Sequence, residues 1–196
     1  MRLNRLLVVI VSIGLLAAAV VGSNYLRSTL KNSLPVLETL GGDFSLPSTE
    51  GKTTTLSDFE GKVVLLNFGF TSCPDVCPTV LTKIRALMET LGEQSSGVQP
   101  LFVTIDPDRD SIEKLSSYLP YFHSSIIGLR GDKTQLAKVA DLYKVLHQKE
   151  YLDSALEYGF LHNDHIYLID QQGRVRAMYS GSVKLATIIE QIKTLL

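Results

Sequence analysis

The sequence lacks several features that would assign it to common functional classes. Its 196 residues carry 19 Lys and Arg against 20 Asp and Glu, so there is no excess of positive charge. Because neutralising a phosphate backbone needs clustered cations, this balance excludes nucleic-acid binding as the main function. No segment recurs with a period of about 20 to 50 residues, which excludes solenoids and repeat arrays. Glycine and proline, at 14 and 7 residues, are too few for a collagen-like or disordered chain.

Cysteine is also scarce, since Cys73 and Cys77 are the only two in the chain. This number excludes a disulfide-dense scaffold. It also excludes a lipoprotein anchor, which needs a cysteine directly after an apolar leader segment.

One apolar run lies near the N-terminus. Residues 6–22 contain no charged side chain and follow Arg2 and Arg5. We expect a membrane anchor at residues 1–27, with a helix over about 6–26, because about 17 to 25 apolar residues cross a bilayer. The preceding positive charges favour a single-pass topology with the soluble domain outside the cytoplasm. Because a longer Arg/Ser-rich presequence for mitochondrial import is lacking, we expect the bacterial inner membrane, with the domain facing the periplasm. A signal peptide cleaved near Ala17-Ala18-Ala19 is the alternative.

The rest of the chain is predicted to form a tether at 28–42 and one domain at 43–196. Val63 to Phe68, V-V-L-L-N-F, is a run of apolar residues with one asparagine, which is typical of a strand buried on both faces. The spacing of apolar residues predicts a helix from Pro78 to Leu91, so a strand, a loop and a helix follow one another. Further patterns predict hairpins at 44–56 and 166–179, a strand at 101–105, and helices that begin after capping residues Asp110, Asp132 and Ser182.

This order of elements predicts an α/β protein with a mixed central sheet flanked by helices and an N-terminal β-hairpin extension. With a cysteine pair between the central strand and its helix, the pattern is similar to the thioredoxin fold.

The cysteines lie in the segment Cys73-Pro74-Asp75-Val76-Cys77-Pro78. Proline is best tolerated as the first helical residue, so we expect Cys77 just before the helix, where the helix dipole favours a thiolate. A structural disulfide across so short a loop would stabilise little. Three residues separate the cysteines, whereas a dithiol redox pair usually has two, so redox activity stays open. Two soft thiolates also suit Cu(I) or Zn(II).

Two thiolates make an incomplete metal site, and histidine is the obvious third ligand. His162 and His165 stand just before the predicted strand 166–170, and in a thioredoxin-like sheet the loop entering that strand lies beside the cysteine loop. Thioredoxin-type reductases have a cis-proline there, whereas the last proline of this chain is Pro120. The segment therefore favours metal binding. Because side chains alternate along a strand, we expect only one of the two imidazoles to face the cysteines.

The segment Asn67 to Pro78, N-F-G-F-T-S-C-P-D-V-C-P, resembles the metal motif of the Sco/SenC family. Two further segments share the resemblance: V-T-I-D-P-D-R-D at 103–110, and a histidine five residues before Tyr167 of Y-L-I-D. The similarity covers residues 42 to 196. The family consists of membrane-anchored, thioredoxin-like copper chaperones that take part in the assembly of cytochrome c oxidase.

The resemblance implies one copper ion per chain, held by Cys73, Cys77 and His162, with the cysteines also able to form a redox disulfide. It implies a role in partner docking or in support of the site for Asp106 and Asp108, and His165 adds a second imidazole within reach. Peroxidase activity is not expected, because no proline lies shortly before Cys73.

The function implied is delivery of copper to the copper-site subunit of cytochrome c oxidase or to another copper protein. The alternative is a thiol-disulfide oxidoreductase that reduces the cysteines of that site or of another exported protein. Other periplasmic copper chaperones or thiol reductases are expected as further partners.

Overall fold

The computed structural model describes residues 14, 18, 19, 22, 34–153 and 157–196. The chain divides into two units, residues 1–34 and residues 35–196, and the second contains the elements below. The predicted anchor helix lies almost entirely outside the described residues. Among those that are described, no helix combines the length and the apolar character needed to cross a bilayer.

The described residues of the second unit form nine strands and four α-helices. The strands are β1 (Ser45–Pro47), β2 (Thr53–Thr55), β3 (Val63–Gly69), β4 (Val98–Thr104), β5 (Ile127–Leu129), β6 (His147–Tyr151), β7 (Tyr158–His162), β8 (Ile166–Ile169) and β9 (Val175–Tyr179). The helices are α1 (Val76–Leu91), α2 (Ile112–Tyr118), α3 (Lys133–Leu142) and α4 (Leu185–Leu195), and short 3-10 turns occupy Leu56–Phe59, Gly92–Gly97 and Leu119–Tyr121.

The core is a five-stranded mixed sheet in the order β5-β4-β3-β8-β9. The strand β3 pairs parallel with β4 and antiparallel with β8, and every residue of β3 and β4 is buried. Burial on both faces explains why the sequence of β3, apart from Asn67, is apolar rather than alternating. The predicted mixed sheet flanked by helices is confirmed, as is the N-terminal hairpin of β1 and β2.

One of the three predicted N-cap residues is confirmed. Asp132 caps α3 in a capping box with Gln135, as predicted. At α2, however, the cap is Ser111, whose hydroxyl accepts from the backbone N–H of Lys114. At α4 the N-cap is Lys184 rather than Ser182. The predictions for Asp110 and Ser182 are therefore wrong, because both side chains bond to other partners instead.

The compact unit starts at Pro35, inside the predicted tether. Leu37 and Leu40 pack against the core, and the backbone N–H of Leu37 donates to the carbonyl of Val175 over 2.8 Å. Part of the predicted tether thus packs as an element of the domain, while its earlier residues lie outside the described ranges.

The hairpin of β6 and β7 was not predicted. Its two strands pair antiparallel, from His147 opposite His162 to Tyr151 opposite Tyr158, and form a separate two-stranded sheet. All five residues of β6 are exposed, so their sequence shows no alternation of apolar and polar residues. The stretch 159–165, expected as a loop, therefore begins as a strand that ends at His162.

Candidate metal centre

Three side chains with soft ligand atoms converge at one end of the sheet. The sulfur atoms of Cys73 and Cys77 and a ring nitrogen of His162 all lie within 4.8 Å of one another, and the cluster is the one such group among the residues described. The Sγ of Cys77 is 3.5 Å from Nε2 of His162. Ligands of a single ion lie at comparable separations, because metal–ligand bonds to sulfur and nitrogen are about 2.0 to 2.3 Å long.

The cysteines come from the loop after β3 and from the first turn of α1. The helix begins at Val76, so Cys77 lies inside its first turn and the expected start at Pro78 is wrong. The shift is allowed because backbone N–H groups of the first turn have no partner within the helix, and proline is tolerated there. One of these groups, the N–H of Cys77, points to the Sγ of Cys73 at 3.3 Å.

The two thiols are free and differ in acidity. A hydrogen bond from the Cys77 side chain to Cys73 lowers the pKa of Cys73 to about 4, with smaller contributions from His162 and backbone N–H groups. The same hydrogen bond and burial raise the pKa of Cys77. At neutral pH the pair therefore holds one thiolate, on Cys73, and one proton, on Cys77.

The ring of His162 is oriented by the backbone that follows it. Its Nδ1 lies 2.9 Å from the carbonyl oxygen of Asn163. Because a carbonyl only accepts hydrogen bonds, Nδ1 carries a proton, and Nε2 is the ring nitrogen that faces Cys77. The ring also packs edge-on to Phe70, with 5.7 Å between centroids.

His165 lies outside this cluster. It stands just before β8, and its carbonyl accepts a hydrogen bond from Nδ2 of Asn67 over 3.0 Å. Alternation of side chains between the two histidines requires one strand running through both. It does not apply, since His162 ends β7 and His165 precedes a strand of a different sheet.

Asp110 fixes the loop that leads to Cys73. Its carboxylate is fully buried and accepts from the backbone N–H and the hydroxyl of Thr71 at 3.0 and 2.5 Å. It also accepts from the hydroxyl of Thr104 at 2.7 Å, at the end of β4. Sequence reasoning assigned Asp110 to helix capping, and its true partner Thr71 lies 39 residues away.

The other two acids of the D-P-D-R-D segment differ in exposure. Asp106 is 1% exposed and bonds to Arg109 and to the hydroxyl of Tyr158. Asp108 is exposed and forms an ion pair with Lys133 at 2.9 Å. A docking role requires a carboxylate that a partner can touch, which Asp108 offers and the buried Asp106 does not; support of the site by Asp106 stays a prediction.

The cluster borders an open cleft of about 290 Å³. Apolar side chains form much of its wall, and two of them, Val76 and Leu161, are 40% and 63% exposed. Cys73 contributes to the same wall, so this otherwise buried cysteine can be reached from outside through the cleft.

A sequence model of the SCO1/SenC family matches residues 34–196. An SCO2-like protein of Rickettsia conorii is 39% identical over 136 residues, which are 69% of this chain and 66% of that protein. The aligned part thus spans just under two thirds of the relative.

Solved structures match about four fifths of the chain. Bradyrhizobium japonicum ScoI with copper bound superposes with a TM-score of 0.74 at 33% identity, covering 80% of this chain and 99% of that one. A SCO1/SenC family lipoprotein of Bacillus anthracis superposes with a TM-score of 0.71 at 28% identity, covering 82% and 96%.

Proposed function

The chain belongs to the SCO1/SenC family, and on this premise we propose that it binds one copper ion per chain through Cys73, Cys77 and His162. The observation that carries the proposal is the convergence of two sulfurs and one imidazole nitrogen within 4.8 Å of one another. This donor set suits a soft cation, and the copper-bound Bradyrhizobium structure supports copper as that cation.

Each ligand has a defined part in uptake of the ion. Cys73 offers a thiolate, Cys77 must release its proton as the metal arrives, and His162 presents its Nε2 toward the sulfurs. Because the bound copper is cargo, the site must also give it up, and three ligands beside an open cleft leave room for an acceptor's ligand to attach.

The acceptor we propose is the copper-site subunit of a respiratory cytochrome c oxidase, as the family resemblance implies. Reduction of that subunit's cysteines is the alternative. It has less support, because the place where a thioredoxin-type reductase carries its cis-proline is here next to His162, whose ring faces Cys77.

We also propose that residues 6–26 anchor the domain to the inner membrane, with the metal centre in the periplasm. The lipoprotein relative shows that domains of this family can be attached to a membrane. Mass spectrometry of the mature N-terminus tests this, since a chain that starts near Val20 would mean that the segment is removed.

The test of copper binding is titration of the purified full chain with Cu(I) against a chromophoric chelator. We expect one ion per chain, and loss of tight binding in Cys73→Ser and in Cys77→Ser. Unchanged affinity in either variant would exclude the proposed ligand set.

A further inference from the structure

We propose that Arg109 is a positioning residue that holds β7 in place, so that His162 faces the two cysteines. The inference rests on the proposed copper site, because it concerns how that site receives its third ligand. Arg109 belongs to the D-P-D-R-D segment after β4, and no role had been assigned to it.

The guanidinium of Arg109 is bound to the loop that carries it. Its Nε donates to Oδ2 of Asp106 at 2.5 Å, and the Asp106 side chain is only 2% exposed. A charge-assisted hydrogen bond at a buried carboxylate has a well-defined direction, because the carboxylate cannot turn to water instead. This bond therefore fixes the plane of the guanidinium relative to the end of β4.

The same guanidinium also contacts Tyr158, the first residue of β7. Its Nη1 donates to the carbonyl oxygen of Tyr158 at 3.0 Å, and its Cζ lies 3.7 Å from the centre of the Tyr158 ring. The hydroxyl of Tyr158 in turn donates to Oδ1 of Asp106 at 3.0 Å. Asp106, Arg109 and Tyr158 thus form a closed triangle of contacts, which we call the Arg109 clamp.

The clamp matters because, among the described residues, no strand of the central sheet pairs with β7. In the described part of the chain β7 pairs only with β6, and β6 is exposed along its whole length. An isolated two-stranded hairpin is at best marginally stable in water. The orientation of the hairpin must therefore come from side-chain contacts with the rest of the domain.

Successive ring contacts connect the clamp to the metal centre. Phe160 stacks edge-on to both Tyr158 and Phe70, with centroid distances of 5.8 and 5.4 Å. Phe70 stacks edge-on to His162 at 5.7 Å and lies 5.7 Å from the Arg109 guanidinium carbon. A shift of Tyr158 would therefore move the strand whose last residue is the third ligand.

Arg109→Lys tests whether the shape of the guanidinium matters in addition to its positive charge. Lysine keeps the positive charge beside Asp106, but it lacks the planar fork needed to bond the carboxylate and the Tyr158 carbonyl together. We expect Cu(I) affinity of the full chain to fall about 10-fold to 100-fold, the range seen when groups that orient a ligand are lost. Tyr158→Phe, which keeps the ring and loses one bond, should have a smaller effect.

A double-mutant cycle with His162→Ala shows whether Arg109 acts through that histidine. We expect Arg109→Lys to weaken Cu(I) binding in the wild-type chain and to add nothing in the His162→Ala chain. The matched control is Arg85→Gln, which removes an arginine–glutamate pair exposed on α1 and should leave the affinity unchanged. Equal losses in both backgrounds, or no loss in either, would overturn the proposal.

A measurement without metal distinguishes failure of the clamp from failure of the copper site. In the metal-free chain, Arg109→Lys should speed hydrogen exchange of the β6 and β7 amides at least about 10-fold, while the β3 amides stay as protected as before. Should the wild-type chain fail to bind Cu(I), faster exchange confined to the hairpin would still support the clamp, and unchanged exchange would refute it. If Arg109→Lys does not fold, the double variant Asp106→Asn/Arg109→Met serves instead, because it removes both charges of the clamp together. It should likewise speed exchange of the β6 and β7 amides and leave the β3 amides protected.

Discussion

Gly69 lies directly against Cys77: a β-carbon at position 69 would be 2.8 Å from the Cys77 sulfur and 2.9 Å from Cε2 of Phe102. Both neighbours are buried, so neither can move aside without disturbing the core. The last residue of β3 must therefore lack a side chain for the sulfur of Cys77 to take its place beside His162 and Cys73.

We expect Gly69→Ala to displace the Cys77 sulfur and weaken Cu(I) binding, and to destabilise the metal-free chain by about 1 to 3 kcal/mol through overpacking. Urea unfolding and chelator competition measure the two effects. The control is Gly159→Ala in β7, where a β-carbon meets only the flexible end of Leu152 at 3.4 Å. Wild-type stability and affinity in Gly69→Ala would show that the close approach is unimportant.

A second prediction separates the two neighbouring histidines. His162→Ala should weaken Cu(I) binding by more than about 100-fold, because it removes a ligand, whereas His165→Ala should cost no more than about 10-fold. Chelator competition measures both, and His123→Ala controls for the loss of an imidazole. A larger effect from His165→Ala would assign the third ligand to His165.

The third prediction concerns oxidation of the cysteine pair. The sulfurs of Cys73 and Cys77 lie within 4.8 Å of each other, so a small movement of the loop allows a reversible disulfide. We expect the oxidised chain to lose Cu(I) binding, because only free thiolates act as ligands, and to regain it after treatment with a thiol reductant. Thiol counting and Cu(I) titration on the same samples test this. Full affinity in the oxidised chain would mean that the cysteines are not the ligands.

The fourth prediction follows from the unequal acidity of the two thiols. With the pKa of Cys73 lowered to about 4 and that of Cys77 raised, only Cys77 still holds a proton at neutral pH. Copper must displace that proton, so binding tightens as the pH rises. Between about pH 7 and 8.5 the logarithm of the Cu(I) association constant should rise by about one per pH unit. A slope near two would mean that both sulfurs are protonated before the metal binds.

The local sequence determined much of the domain on its own. The apolar run of β3, the apolar face of α1, the capping box at Asp132 and the cysteine motif all depend on residues near one another in the chain. The physical causes act over a few residues: the periodicity of buried side chains, and the hydrogen bonding of unpaired backbone groups at helix ends. Such features can be predicted before any fold is known, and the cysteines were identified as candidate ligands from their spacing.

The tertiary structure decided the features that depend on distant partners. The sequence of β6 is exposed and carries no periodic pattern, so the hairpin that delivers His162 could not be predicted. The role of Asp110 depends on Thr71, the need for glycine at 69 depends on Cys77 and Phe102, and the contact of Arg109 depends on Tyr158. Each is a close approach of groups far apart in the chain. The separation of His162 from His165 has the same origin, since one ends a peripheral strand and the other leads into the central sheet.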